Sequence, residues 1–190
     1  MWMPSYTRRM PPAATLSAEE LHQLYLPNTR SELVRGELVV REPAGYRHGD
    51  VAMQLGIIIA SFVKDHGLGK TFAAETGFTL HRNPDTVRAA DVAFLSTARL
   101  PDSGTSGFAE VAPDLVVEVL SPDDRGGDVL AKVGDWLIAG TRLVWVINPV
   151  HNTAQVYRAD GSVTLLGPRD ALDGEGVLQG FSCALQSVLM

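Results

Sequence analysis

Two carboxylates stand in segments otherwise built for a dry interior: Asp91 in VRAADVAFLS and Glu118 in PDLVVEVLSP. Side chains of a strand alternate between faces, so Asp114, Val116, Glu118 and Leu120 share one face of the second segment and Leu115, Val117 and Val119 the other. A buried, ionised carboxylate without a partner is costly, so Glu118 calls for a metal ion, a basic side chain or hydrogen-bond donors. Asp91 poses the same demand at the head of its own apolar run. If the two strands are neighbours, the acids meet at one end of a sheet, and a hard divalent cation is the usual relief of their repulsion. Mg2+ is the expected ion, with Mn2+ as a substitute. Lys132, one of only three lysines in the chain, falls early in the segment after Glu118, where its ammonium can reach back to the strand end. A lysine beside such a centre orients or activates water and offsets charge on a phosphoryl group; a solvated lysine on an amphipathic helix is the plainer alternative. Asp114, at the strand's entrance, reads as structural.

The elements that must position these groups follow from periodicity. Ser17 and Glu20 have capping-box spacing and open a short helix over AEELHQLYL, which Pro27 ends. SELVRGELVVREP reads as a tight hairpin about Arg35-Gly36, with Glu32 and Glu37 near its turn. From His48 onward, Val51, Leu55, Ile58, Ile59 and Phe62 recur at helical spacing until HGLGK. KTFAAETGFTLH is a strand pair or one long bent strand, and VRAADVAFLS is one strand that contains Asp91. PDSGTSGFAEVA is a loop. DLVVEVL is a central strand covered on both faces. Val129, Val133, Trp136 and Leu137 form the apolar stripe of a helix ending at Gly140, and RLVWVINP is the next strand. Strand, helix, strand of this length is a right-handed crossover between parallel neighbours. A further hairpin turns at Ala159-Asp160-Gly161. The class is α/β, with a mixed central β-sheet flanked by helices, organised as an N-terminal arm over residues 1–15 and one domain over 16–190.

Composition narrows the setting. Hydrophobic residues at 45% and charged residues at 20% are ordinary globular values. The longest apolar helical stretch is too short to span a bilayer, no signal peptide is recognisable, and the single cysteine, Cys183, allows no intramolecular disulfide. A soluble cytoplasmic protein is expected. A net charge of -6 argues against a wholly basic surface but leaves room for a local basic rim.

ELVRGELVV, His48, VRAADVAFLS, PDLVVEVLSPDD, Lys132 and GTRLVWVINP occur in the order and spacing of the Uma-type family of restriction-endonuclease-like proteins, within the PD-(D/E)XK nuclease superfamily, which this chain resembles from about Ser17 to Phe181. The resemblance implies a restriction-endonuclease-like core with Mg2+ held by Asp91, Glu118 and the backbone carbonyl of Val119. It also implies that Glu37 and His48 line the same cleft. The superfamily lysine stands two residues after the second acid; that position here is Leu120, and the resemblance implies recruitment of Lys132 from the following helix instead. Ala90 replaces the family's usual proline, Trp136 its tyrosine, and Asn148 its aspartate.

The expected activity is Mg2+-dependent endonucleolytic hydrolysis of DNA, with Asp91 and Glu118 binding metal and Lys132 serving water and developing charge. Arg35, Arg41, Arg47, Arg82, Arg88 and Arg125 flank the motifs and could supply a basic rim. A homodimer would suit a double-strand cut. A non-catalytic nucleic-acid-binding or protein-interaction module that retains the fold is the competing expectation, and a hydrolase of smaller phosphoesters is a third. Binding of a divalent metal that depends on Glu118 separates the first from the second.

Overall fold

A computed structural model describes residues 15–24, 30–41 and 43–189 of the chain. The expected N-terminal arm, save Thr15, and the helix stop at Pro27 lie outside the described residues. Helix α1 (Ala18–Gln23) carries the full capping box, Ser17 Oγ accepting from the Glu20 N–H and the Ser17 N–H donating to the Glu20 carboxylate. The hairpin of β1 (Arg30–Val34) and β2 (Glu37–Arg41) turns through Arg35 and Gly36, both at positive φ, as a two-residue turn requires.

Helix α2 (Tyr46–Asp65) starts two residues before His48 and buries Val51, Leu55, Ile59 and Val63, a stripe of spacing four. In the segments that follow one expectation is met with two strands rather than one bent one, and another changes. KTFAAETGFTLH is two strands, β3 (Gly69–Ala73) and β4 (Gly77–His81), and they lie in different sheets. VRAADVAFLS is likewise not one strand: β5 (Thr86–Ala89) and β6 (Val92–Ser96) belong to different sheets, and the chain crosses between them at Ala90-Asp91. The physical reason lies in the polar group at the break. Asp91 gives its N–H to the Val117 carbonyl at 3.1 Å, and its carboxylate takes the Val119 N–H at 2.8 Å, so a side chain replaces the next rung of the ladder.

Strand β7 (Leu115–Val119) is buried throughout. Helix α3 (Gly126–Ile138) leads from it to β8 (Leu143–Asn148), which pairs with β7 in parallel, as the crossover predicts. Strands β9 (Thr153–Arg158) and β10 (Val163–Leu166) form the expected hairpin at Asp160-Gly161. A small pair, β11 (Ala171–Asp173) with β12 (Ser182–Ala184), and the last turn α4 (Gln186–Leu189) close the described chain.

The larger sheet has the order β10-β9-β8-β7-β6-β3 and is mixed, the smaller β2-β1-β5-β4. Leu115, Val117 and Val119 pack toward α2 and the C-terminal segment, while Val116 packs with Val133 and Trp136 of α3. This division of β7 between two faces is the one alternation dictates. Among the described residues no helix is long and apolar enough to cross a membrane.

At the start of β3, Gly69 lies against the edge of β6, where a methyl group would run into the Leu95 carbonyl. Gly69→Ala is therefore expected to cost about 1–3 kcal/mol as an overpacking substitution, read as a lowered urea midpoint, whereas Gly134→Ala on α3, where the added carbon meets nothing within 4 Å, should not lower it.

Candidate active site

The crossing point between the two sheets puts Asp91 at the mouth of a cleft. Its carboxylate is almost wholly buried, and Oδ2 takes the Val119 N–H at 2.8 Å with His48 Nε2 at 3.2 Å. Oδ1 lies 3.0 Å from the Arg30 guanidinium. Burial alone would raise this carboxyl, but the His48 ring, the Val119 N–H and Lys132 outweigh it and hold Asp91 below the ordinary carboxylate range.

Glu118 enters from the middle of the sheet on the α3 side. Trp136 Nε1 donates to its Oε1 at 2.8 Å, and Lys132 Nζ lies 2.9 Å from Oε2. Burial raises the Glu118 carboxyl, and although Lys132 opposes the shift, repulsion from Asp91 and Glu32 adds to it, so the group is pushed up to about 7. Lys132 also donates to the Ala89 carbonyl at 2.8 Å and approaches Glu32 at 3.1 Å. Burial would favour loss of its proton, but Glu118 and Glu32 keep its pKa raised, so it stands as an ammonium that can orient and neutralise rather than abstract a proton.

Glu32 is a site residue that motif and spacing do not single out. It lies in mid-strand in β1, buried, with Arg88 at 2.9 Å and the Ala89 N–H at 3.0 Å as well as Lys132. Arg88 reaches on to Asp135 of α3 at 2.6 Å. The signal was available: an acid within the short strand SELV poses the same question as Glu118 in DLVVEVL. Trp136 reads in the sequence as part of an apolar stripe and as a replacement of tyrosine, and its indole N–H gives the position a donor for Glu118.

Asp91, Glu118, Lys132, His48 and Val119 all line one cleft of about 640 Å3. Glu37 is not brought there; it is exposed at the hairpin turn, and Glu32 on the preceding strand is the hairpin's glutamate that meets Lys132. Asp114 sits at the other end of β7, taking the Ser96 N–H at 2.8 Å and Arg99 at 2.9 Å, the structural part expected of it. The basic rim also changes. Arg88 is buried in its ion pairs, Arg82 is held by Glu19, Asp85 and Glu110, and Arg47 donates to the Leu189 carbonyl, while Arg41 and the unforeseen Arg30 line the cleft.

The donor set suits a hard cation. Two carboxylates open on the same cleft, and their mutual repulsion already raises Glu118. Among the described residues no three His, Cys, Asp or Glu side chains gather as a metal cage, so a cation here would complete its ligands from backbone and water, as Mg2+ commonly does.

A mixed sheet carrying acids at the end of two adjacent strands, with a lysine brought in from the crossover helix, is the framework of a restriction-endonuclease-like nuclease. The family model Uma2, described as "Putative restriction endonuclease", matches residues 18–186, and the chain belongs to that family. Among solved structures, the fold is similar to that of a protein from Anabaena variabilis, titled a putative nuclease belonging to DUF820. The TM-score is 0.80 at 21% identity, over 92% of this chain and 97% of the other. Comparison with curated proteins gives no match.

Two outcomes test this electrostatic arrangement. Glu32→Ala removes the buried carboxylate that Arg88 and Lys132 share and leaves each with one acid, Asp135 and Glu118 respectively, so a loss of about 3 kcal/mol in urea unfolding is expected. Glu118 lies above its ordinary value of 4.5, so its contribution to stability is complete below that pH and is lost as the pH rises through about 7. Asp91 and Glu32 lie below their ordinary values, and theirs is lost only on going into acid. In EDTA, Tm should therefore fall between about pH 5 and pH 8, and Glu118→Gln should flatten that slope; an unchanged slope in the variant would refute the assignment.

Proposed function

We propose that the protein is a Mg2+-dependent endonuclease that hydrolyses DNA phosphodiester bonds. The observation that carries this reading is the convergence of Asp91, Glu118 and Lys132 in one cleft, two oxygen donors and an ammonium arranged about the space a phosphate would enter. Membership of a family described as "Putative restriction endonuclease" supports the same reading.

Asp91, Glu118 and the Val119 carbonyl would hold Mg2+, or Mn2+ in its place, and the ion would supply Lewis acidity at the scissile phosphate and a water of lowered pKa. The chain's own groups do the rest. The Val119 N–H and His48 fix the Asp91 carboxylate, and Trp136 fixes Glu118. Lys132, kept charged by Glu32 and Glu118, orients water and offsets the negative charge that grows on the phosphoryl oxygens. Arg30 and Arg41 are the basic groups nearest to an incoming phosphate backbone.

The test titrates Mg2+ and Mn2+ into wild type and Glu118→Ala and follows cleavage of supercoiled and single-stranded DNA by the same samples. Cleavage that requires metal and disappears in Glu118→Ala is expected. Lys132→Met should keep metal binding and lose on the order of 100- to 1,000-fold in rate. Absence of metal binding in the wild type would overturn the proposal and favour a non-catalytic nucleic-acid-binding or protein-interaction module.

A further inference from the structure

Beside the acid cleft, and larger than it, is a groove of about 960 Å3 between α2 and β3. Its walls are largely apolar, with Ala52, Met53, Gly56 and Ile57 on the helix and Phe72 and Ala73 on the strand, and the exposed Glu75 lies just beyond the strand's end. Met53 and Ile57 are 61% and 49% exposed, unusual for large apolar side chains on a helix that already buries a full stripe elsewhere. The strand wall is the last strand of its sheet, hydrogen-bonded to β6 alone, so one edge of its backbone offers unpaired donors and acceptors along the groove.

Groove and cleft are continuous. Arg30, Pro43, Ala44, His48 and Asp91 line both, with the Arg30 guanidinium at the seam beside Asp91 Oδ1. The far side of the cleft is different in kind, since Asp123, Asp124 and Asp128 line it. Arg41 lies 3.7 Å from Asp124 and leaves Asp123 and Asp128 of that wall, whereas the groove beyond the shared Asp91 carries one carboxylate, the exposed Glu75. The far wall of the cleft is therefore the more acidic, and a polyanion whose phosphate sits at Asp91 and Glu118 is led past Arg30 toward the groove. An intact duplex offers the groove only its phosphate exterior, which gains nothing from an apolar wall. Unpaired nucleotides offer base faces for apolar and stacking contact and base edges for backbone hydrogen bonds.

We infer that the groove between α2 and β3 is a binding site for unpaired nucleotides adjoining the scissile phosphate, so that the substrate is single-stranded DNA or an unpaired stretch of it. This deepens the nucleolytic reading of the neighbouring acids and rests on it for the placement of the phosphate. Arg30 is the seam residue that takes the phosphate passing from cleft to groove.

The test is fluorescence anisotropy with a labelled single-stranded oligonucleotide and the duplex of the same sequence, in Ca2+ and again in EDTA, together with bis(p-nitrophenyl) phosphate hydrolysis in Mn2+. Met53→Glu and Ile57→Glu place charge on exposed groove positions with little demand on the fold; Leu165→Glu, at a 67% exposed position on β10 at the opposite edge of the sheet, is the control of equal charge. The single strand should bind more tightly than the duplex. Both groove variants should weaken it about tenfold or more, Leu165→Glu should not, and hydrolysis of the small diester, which has no strand to seat, should stay at the wild-type rate. Equal or tighter duplex binding, or groove variants that bind like wild type, would overturn the site. So would a groove substitution that splits a dimer seen by light scattering, because the groove would then cover a second copy of the chain. Preferred single-strand binding without metal binding or hydrolysis would sink the nuclease reading and leave the groove standing; Glu118-dependent cleavage with duplex preference would do the reverse.

Discussion

One ammonium group ties the two sheets together. Lys132 stands between Glu118 of the large sheet and Glu32 of the small one and donates to the carbonyl of Ala89, the last residue before the chain crosses from one sheet to the other. Buried carboxylates from two layers would otherwise repel each other and favour their protonated forms. With the cation in place, and with Arg88 answering the other oxygen of Glu32, the layers can approach closely enough to make a cleft at their junction. The same contacts that hold the layers together therefore set the charge that any phosphate would meet.

Asp91 extends the constraint to the backbone. A strand that ends early leaves the N–H of its neighbour without a partner, and a buried N–H without a partner is costly. The Asp91 carboxylate fills that vacancy for Val119, so its position is fixed by a ladder and not by the rotamer of an isolated side chain. His48 and Arg30 then complete its surroundings from α2 and β1. Four elements meet at this one carboxylate, and a change in any of them is felt there.

Much of this was legible in the residues. The burial of β7 on both faces, the amphipathic stripe of α3 and the Asp160-Gly161 turn each follow from local pattern, because an unbroken apolar run, a helical stripe and a turn dipeptide each state their requirement within a few residues. The break of VRAADVAFLS was not legible, since β-branched and apolar residues run through it and only the long-range bond from Val119 to Asp91 shows why it must end. Glu32 escaped for the same reason: its partners Arg88 and Lys132 are far along the chain, and strand periodicity says only that it shares a face, not what faces it. Glu37 looked equivalent in the hairpin, yet it falls at the turn, where its side chain is left exposed. Spacing identified the acids and the lysine as a group; which hairpin glutamate joins them was decided by tertiary packing.

The placement of Lys132 on a helix, in contact with Glu118, has a consequence for how such chains can vary. The acid and the ammonium are fourteen residues apart, and Leu120, two residues after the acid, packs against the apolar cluster around Trp136. The strand can then be optimised for packing and the helix for reach, with Ser121 to Arg125 as the spacer between them. A search keyed to an acid and a lysine held in fixed register would pass over this chain, while the three-dimensional arrangement of charges would stay the same.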